Sequence, residues 1–249
     1  MSLHSIVTAL AGAAAIFSAV PVLAQGFPER PIRIIVPSGP GGGYDLLARA
    51  LAPKLGERLK QSVVVENRTG AGTLVGTQAA AAAPADGYTL VIGGPSNIVF
   101  NSALYRKAGY LPADFVPVQM VINYPYMLIT RRDLPYDTLA QFVAAARSQP
   151  DKFSMATAGA GTGQHIAAAS FLKATGVQMP FVHYKGAQPA LQALLAGEVD
   201  FMFDAGTVVP QVQAGKLRAL AVTGPRRSPF LPEAPTMIES GLASFEVVS

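Results

Sequence analysis

The chain has 249 residues, of which 50% are hydrophobic and 14% are charged, and its formal net charge is +4 at pH 7. These proportions are typical of a folded α/β protein with one large or two smaller domains, and they argue against a disordered chain. The basic residues form no dense run and there is no cysteine, so the sequence predicts neither a nucleic-acid partner nor a disulfide or thiol nucleophile.

The first residues have the pattern of a secretory signal peptide. An apolar run extends from Ile6 to Val20, and Ala24 is a small residue that a signal peptidase accepts. The run is shorter than the roughly 20 residues that cross a bilayer, which argues against a membrane anchor. One feature departs from the signal-peptide pattern, because no Lys or Arg precedes the run. We predict that residues 1–24 are a signal peptide, that Gln25 begins the mature chain and that the mature protein is exported and soluble.

Three strand–loop–helix units follow. Short apolar runs alternate with helical patterns and glycine loops, which predicts a parallel sheet with helices on its faces. Right-handed crossovers place the loops after such strands at one edge of the sheet, where ligands of open α/β sheets bind. The predicted strands of these three units are Arg33–Val36, Ser62–Glu66 and Tyr88–Ile92.

The turn after the first strand is the most informative motif of the chain. Residues 37–45 read Pro-Ser-Gly-Pro-Gly-Gly-Gly-Tyr-Asp, and an amphipathic helical pattern runs from Asp45 to about Lys60. Such a turn, which only small residues can form, directs several backbone N–H groups into one volume beside the positive end of a helix dipole. The sequence therefore predicts an anion-binding turn.

The strand–helix pattern starts again after an apolar stretch that is interrupted by Pro117 and Pro125, which suits a crossing between domains. A second glycine-rich turn, residues 159–165, joins a strand to a helix, so the two turns can face each other across a cleft. We predict two α/β lobes with a seam near residues 118–126. The predicted strands of the second lobe are Phe153–Ala156, Phe181–Tyr184, Val199–Phe203 and Leu217–Val222.

The two turns match no nucleotide-binding or catalytic motif. Counted from Gly39 or Gly159, the last position of a dinucleotide-binding Gly-x-Gly-x-x-Gly is Tyr44 or Gln164, and neither turn ends in Gly-Lys-Ser/Thr. There is no Gly-x-Ser-x-Gly nucleophile elbow. The two histidines of the mature chain have no cysteine or close carboxylate pair beside them, so the sequence predicts no metal site, no cofactor and no enzyme activity.

Several polar residues near the predicted loops have two interpretations. Asp45 either stabilises the start of its helix or holds a water or a ligand hydroxyl, and His165 either bonds to its own turn or contacts the ligand. Lys185 is the best-placed cation, although an ordinary surface lysine also fits its position. Further polar candidates at strand ends are Ser96, Asn97 and Asp204.

Short motifs recur over nearly the whole chain after the signal peptide. In the first half they are Pro31–Pro37 with Pro40-Gly41-Gly42 and Asp45, Val65–Arg68 with Gly70-Ala71-Gly72, and Asp86–Leu90. In the second half they are Gly159-x-Gly161-Thr162 with His165, Tyr184–Gly186, Gly197-x-Val199-Asp200, Gly215–Val222, Pro235-Thr236 and Glu239-x-Gly241. Each motif is weak alone, but the ordered series resembles the tripartite tricarboxylate transporter substrate-binding family, also called Bug receptors.

The resemblance implies a type II periplasmic-binding-protein fold, in which two α/β lobes joined by a hinge close on a small organic carboxylate. It implies a monomeric periplasmic receptor that binds a di- or tricarboxylate through backbone groups and water and delivers it to a membrane permease. Lobe one is expected at residues 25–120, lobe two at 121–245 and a strand returning to lobe one from 246–249. The implied ligand-binding positions are Ser38, Gly41, Gly42, Asp45, Thr73, Ser96 and Asn97 in lobe one and Gly161, Thr162, His165 and Asp204 in lobe two.

The chain departs from the family pattern in two ways. Ser38 stands where an aromatic residue is common, and the sequence stops at Ser249, where the family's chain returns to lobe one. We therefore expect a C-terminally truncated receptor whose first sheet exposes apolar surface. The alternative to transport is a truncated receptor with a sensory or interaction role, and the sequence does not identify the carboxylate.

Overall fold

The structure, a computed structural model, describes residues 26–150 and 152–249. The predicted signal peptide and Gln25 lie outside the described residues. No helix within the described ranges is both long enough and apolar enough to cross a membrane.

The first half of the chain builds a three-stranded parallel sheet. Its elements are β1 (Ile32–Val36), α1 (Gly43–Leu59), β2 (Val63–Asn67), a 3₁₀ turn (Ala71–Thr73), α2 (Leu74–Ala81), β3 (Thr89–Val91), a π turn (Pro95–Phe100), α3 (Asn101–Leu104) and a 3₁₀ turn (Pro112–Asp114). The strand order is β2-β1-β3, so the first strand is central. Ile34, Ile35 and Val36 are at most 2% exposed, because both neighbouring strands and the helices α1 and α2 contact β1. The predicted parallel sheet is confirmed.

The second half builds a five-stranded mixed sheet. Its elements are β4 (Met127–Arg131), α4 (Leu139–Ser148), β5 (Met155–Thr157), α5 (Gly163–Thr175), β6 (Phe181–His183), α6 (Ala187–Ala196), β7 (Phe201–Asp204), α7 (Val209–Gln213) and β8 (Leu217–Val222). The order is β6-β5-β7-β4-β8, in which β6, β5 and β7 are parallel and β4 runs antiparallel to both of its neighbours. The loops that follow the parallel strands lie at the same edge of the sheet as predicted, and the antiparallel strand β4 lies between β7 and β8.

The second sheet has the larger core. Phe142 of α4 stacks on Phe201 of β7 with ring centroids 3.9 Å apart, and Phe171 of α5 stacks on Phe142 at 6.2 Å. All three rings are fully buried, and burial of one such side chain stabilises a fold by roughly 1.5–3 kcal/mol. This core gives the loops at the sheet edge a rigid support.

The segment between the two sheets is extended and meets the last residues of the chain. Tyr124 N–H donates to the Ser249 carbonyl at 2.9 Å, and Ser249 N–H donates to the Tyr124 carbonyl at 3.0 Å. Before this pairing, Val116, Val118 and Met120 are 87%, 78% and 78% exposed. The crossing therefore carries apolar side chains that contact little of the described core.

Candidate ligand-binding site

A cavity of about 270 Å³ lies between the two sheets, at the carboxyl ends of their parallel strands. The first sheet contributes the loops after β1, β2 and β3, and the second contributes the loops after β5 and β6. The walls are mostly glycine, small side chains and tyrosine. Both lobes therefore form the site, as the sequence predicted for a cleft between two glycine-rich turns.

The turn after β1 is held by one side chain of its own helix. Gly41 has a φ of +74°, a conformation that favours glycine. Its N–H donates to the Asp45 carboxylate at 2.9 Å. Gly42 N–H then donates to the Gly39 carbonyl at 3.3 Å, and Leu46 N–H to the Gly42 carbonyl at 3.0 Å, which begins α1.

The turn after β5 has the same hydrogen bonds at positions 120 residues later. Gly161 has a φ of +80°, and its N–H donates to His165 Nδ1 at 3.1 Å. Thr162 N–H donates to the Gly159 carbonyl at 3.3 Å, and Ile166 N–H to the Thr162 carbonyl at 3.0 Å. Asp45 and His165 thus play equivalent parts, because each accepts the N–H of the left-handed glycine four residues before it.

Both turns leave backbone donors free at the cavity wall. Among the described residues, no hydrogen-bond acceptor is found for the N–H groups of Gly43 and Tyr44 at the start of α1 or of Gly163 and Gln164 at the start of α5. All four residues line the cavity. Two helix N-termini, each with a partial positive charge, therefore meet the same small volume.

The Asp45 carboxylate is compensated within its own lobe. It also accepts from Arg49 Nε at 3.0 Å and from Asn67 Nδ2 at 2.9 Å. Burial alone would raise the pKa of Asp45, but the hydrogen bonds from Arg49, Gly41 and Asn67 outweigh it and hold the pKa below 3.8. The Asp45 carboxylate therefore stays ionised and stabilises the turn by accepting the Gly41 N–H. It does not line the cavity.

His165 is neutral when it holds its turn. Its Nδ1 can accept the Gly161 N–H only without a proton of its own. Burial, and then the neighbouring His183 ring at 5.0 Å, lower the pKa of His165 from the ordinary 6.5. Its interaction with the turn is thus sensitive to mild acid, whereas that of Asp45 is not.

We predict that the stability of the protein decreases as the pH falls below about 6.5, the ordinary pKa of His165. The unfolded chain takes up a proton near that pH, while the folded chain resists protonation until the lowered pKa is reached, so the loss accumulates between the two values. Thermal unfolding from pH 8 to pH 5 measures it. The unfolding midpoint of His165→Gln should depend less on pH than that of the wild type, and equal pH slopes would contradict the assignment.

Three tyrosines form the base of the cavity. Tyr44, Tyr124 and Tyr126 all line it, and the Tyr44 hydroxyl lies 3.1 Å from Ser96 Oγ. Burial raises the pKa of Tyr44 to about 12 and raises the pKa values of the other two tyrosines. The base therefore presents neutral hydroxyl groups, which can donate to or accept from a ligand or a bound water.

Two charged candidates occupy different positions. Asp204 is fully buried and accepts from Gly206 N–H at 2.8 Å, the Thr207 hydroxyl at 2.8 Å and Val208 N–H at 3.2 Å, while burial raises its pKa. These hydrogen bonds all lie within lobe two, and Asp204 does not line the cavity. Lys185 lines the cavity and is exposed, so it lies at the mouth.

The eleven positions implied by the resemblance fall into two groups. The residues that line the cavity are Ser38, Gly42, Thr73, Ser96 and Thr162. Those placed behind the lining are Gly41, Asp45, Asn97, Gly161, His165 and Asp204. Ser38 Oγ is buried without a hydrogen-bond partner among the described residues, so it is free to contact a ligand or water.

Sequence reasoning did not select the tyrosines as site residues. Tyr44 lies inside the anion-binding motif, which is a signal that could have been used. Tyr124 and Tyr126 flank Pro125 at the seam. Tyr124 pairs with Ser249 and Tyr126 pairs with Thr223, so contacts with distant parts of the chain bring both rings beneath the cavity. Within the described residues, no group of three His, Asp or Glu side chains is placed to hold a metal ion.

Comparison with known proteins matches the chain to one family. The family model described as the tripartite tricarboxylate transporter family receptor matches residues 47–249. The chain is 38% identical to Protein BugT of Bordetella pertussis over 230 residues, which is 91% of this chain and 71% of BugT.

Solved structures of similar proteins have the same fold. The periplasmic binding protein BugD is 38% identical with a TM-score of 0.83, and the match covers 89% of this chain and 75% of BugD. MatC from Rhodopseudomonas palustris with bound malate is 33% identical with a TM-score of 0.84, and the match covers 89% of this chain and 76% of MatC. The predicted two-lobed periplasmic-binding-protein fold is confirmed.

Proposed function

Because the chain belongs to the tripartite tricarboxylate transporter receptor family, we propose that it is a periplasmic receptor that captures a small di- or tricarboxylate between its two lobes. It then delivers the ligand to the membrane permease of a tripartite tricarboxylate-type transporter. The observation that carries this proposal is the pair of equivalent turns, 120 residues apart, whose free N–H groups meet at one cavity.

The chemistry of the cavity suits an anion that must be released again. The free N–H groups of the two helix starts can replace the water around a carboxylate, and the helix dipoles favour its negative charge. Among the described residues that line the cavity, Lys185 is the only cation, and it lies at the mouth. A carboxylate can therefore be held without a buried counter-charge, at an affinity that depends on lobe closure.

The hydroxyl groups at the base add a polar surface for the rest of the ligand. Ser38, Ser96 and Tyr44 offer oxygens that donate or accept hydrogen bonds. A small organic acid with a hydroxyl or a second carboxylate fits this lining, and the bound malate in MatC has both groups. The proposed role is binding and delivery of the ligand without its chemical conversion.

A thermal-shift panel tests the ligand class. Malate, citrate and adipate are each compared with the corresponding uncharged amide, using the chain from Gly26 onward. A ligand at about 100 times its Kd stabilises by about 2.7 kcal/mol, which for a chain of this size raises the unfolding midpoint by roughly 5–10 °C. We expect this shift with at least one carboxylate and with none of the amides. Equal shifts with acid and amide, or no shift with any acid, would exclude the proposal.

A further inference from the structure

One hydrogen bond ties the two lobes together beside the cavity. Gln188 Nε2, in the first turn of α6, donates to the Gly41 carbonyl at 3.1 Å. Among the residues that the structure describes, this is the only hydrogen bond that joins residues 26–116 to residues 127–245. The contact is therefore the one polar link that opening of the cleft would break.

The acceptor of this bond belongs to the first anion-binding turn. The Gly41 N–H is fixed from within lobe one by Asp45, and its carbonyl is fixed from lobe two by Gln188. The Gln188 side chain also packs closely, since a Cβ added at Gly41 would lie 2.9 Å from Gln188 Cγ. The geometry of this turn is thus complete only when the two lobes are closed.

The other close contacts between the lobes involve the backbone. Gly72 packs directly against the Ala160 carbonyl, and Gly161 lies beside the side chains of Asn101 and Leu104. Within the described part of the chain, these contacts make no hydrogen bond between the lobes. Neither Gly41 nor Gln188 lines the cavity, so the bond lies behind its wall and does not contact a ligand there.

We propose that Gln188 is a positioning residue that latches the closed lobes and thereby slows ligand release. The proposal rests on the proposed function, because it assumes that the cleft closes on a carboxylate. Since the bond exists only in the closed state, it stabilises that state without touching the ligand. Its loss should therefore act on the dissociation rate and leave the association rate nearly unchanged.

Two substitutions separate the hydrogen bond from packing. Gln188→Met keeps the length of the side chain and removes the donor, whereas Gln188→Ala removes both. Gln213→Ala is the matched control, because Gln213 Nε2 donates to the Phe230 carbonyl at 3.2 Å within lobe two. Loss of one neutral hydrogen bond should raise the dissociation rate and the Kd for malate about three- to tenfold in both Gln188 variants. The control should keep wild-type values.

A second measurement reads lobe closure directly. The chain has no cysteine, so Lys54→Cys and Lys216→Cys, both at exposed positions of different lobes, can carry spin labels as a unique pair. We expect Gln188→Met to shift the distance distribution of the ligand-free protein toward longer distances. Because this readout needs no ligand, it tests the latch even if the wild type binds no carboxylate, which would refute only the proposed function. Unchanged distances in ligand-free Gln188→Met, or equal effects in Gln213→Ala, would overturn the latch.

Discussion

Gly163→Ala should reduce carboxylate affinity about 10- to 100-fold. Gly163 is the first residue of α5, and a Cβ there would overlap the hydroxyl of Tyr126 at the base of the cavity. Overpacking of this kind costs the fold about 1–3 kcal/mol. The displacement of the start of α5 that relieves the overlap also moves its free N–H groups away from the ligand, and loss of one hydrogen bond to a charged group costs about 1.5–3 kcal/mol of binding. Alanine is compatible with the helical backbone at this position, so the protein should still fold, with its unfolding midpoint lowered by roughly 2–12 °C. Isothermal titration calorimetry with malate measures the change.

The equivalent residue of the other turn provides the control. A Cβ at Gly43 would lie 3.8 Å from the Tyr124 hydroxyl, which is ordinary contact, so Gly43→Ala should change the affinity less than threefold. Adding Tyr126→Phe to Gly163→Ala removes the overlapping oxygen and should recover part of the binding. An unchanged affinity in Gly163→Ala would show that the start of α5 does not form the site.

Asp45→Ala should destabilise the protein by roughly 2–4 kcal/mol. The carboxylate is 2% exposed, and its loss leaves the Gly41 N–H without an acceptor and removes one of the two acceptors of Asn67 Nδ2. Urea denaturation at pH 7 measures the free energy of unfolding. Arg49→Ala is the control, since that side chain is 54% exposed and its removal leaves the hydrogen bonds from Gly41 and Asn67 in place, so it should destabilise the protein less than Asp45→Ala.

The same carboxylate predicts a pH dependence on the acid side. The pKa of Asp45 is lower in the folded chain than its ordinary 3.8, so its contribution is complete above that value and is lost as the pH falls through the lowered pKa. Asp45→Asn should remove this part of the acid denaturation. If Asp45→Ala had the same free energy of unfolding as the wild type at pH 7, the turn would not need the Asp45 carboxylate.

The sequence predicted the framework of the fold because its signals are local. An apolar β-branched run followed by glycines marks β1 and its turn, and the same reading placed β8 at its observed bounds, Leu217–Val222. The strand β4 was not among the predicted strands, because its residues continue the apolar stretch that was interpreted as a crossing between domains. Its antiparallel direction could not be read from its residues either, since a buried strand between two others is apolar in either direction. That direction depends on which strands it pairs with, and here β7 and β8 come much later in the chain.

The backbone turns of the site could be predicted from the sequence, whereas most of its side chains could not. Both turns were selected because glycine spacing fixes the conformation that aims N–H groups at one point. For Asp45 and His165 the sequence allowed a structural and a ligand-contacting role, and in the structure each accepts a glycine N–H of its own turn. The tyrosine base and Gln188 depend on residues distant in sequence, which no local pattern brings together.

A ¹⁵N–¹H NMR titration of the protein with malate shows directly whether the two turns hold the ligand. The backbone amide signals of Gly43, Tyr44, Gly163 and Gln164 should shift most strongly and saturate together at one ligand per chain, because their free N–H groups receive the carboxylate. Binding of malate that leaves these four amides unshifted would contradict the account.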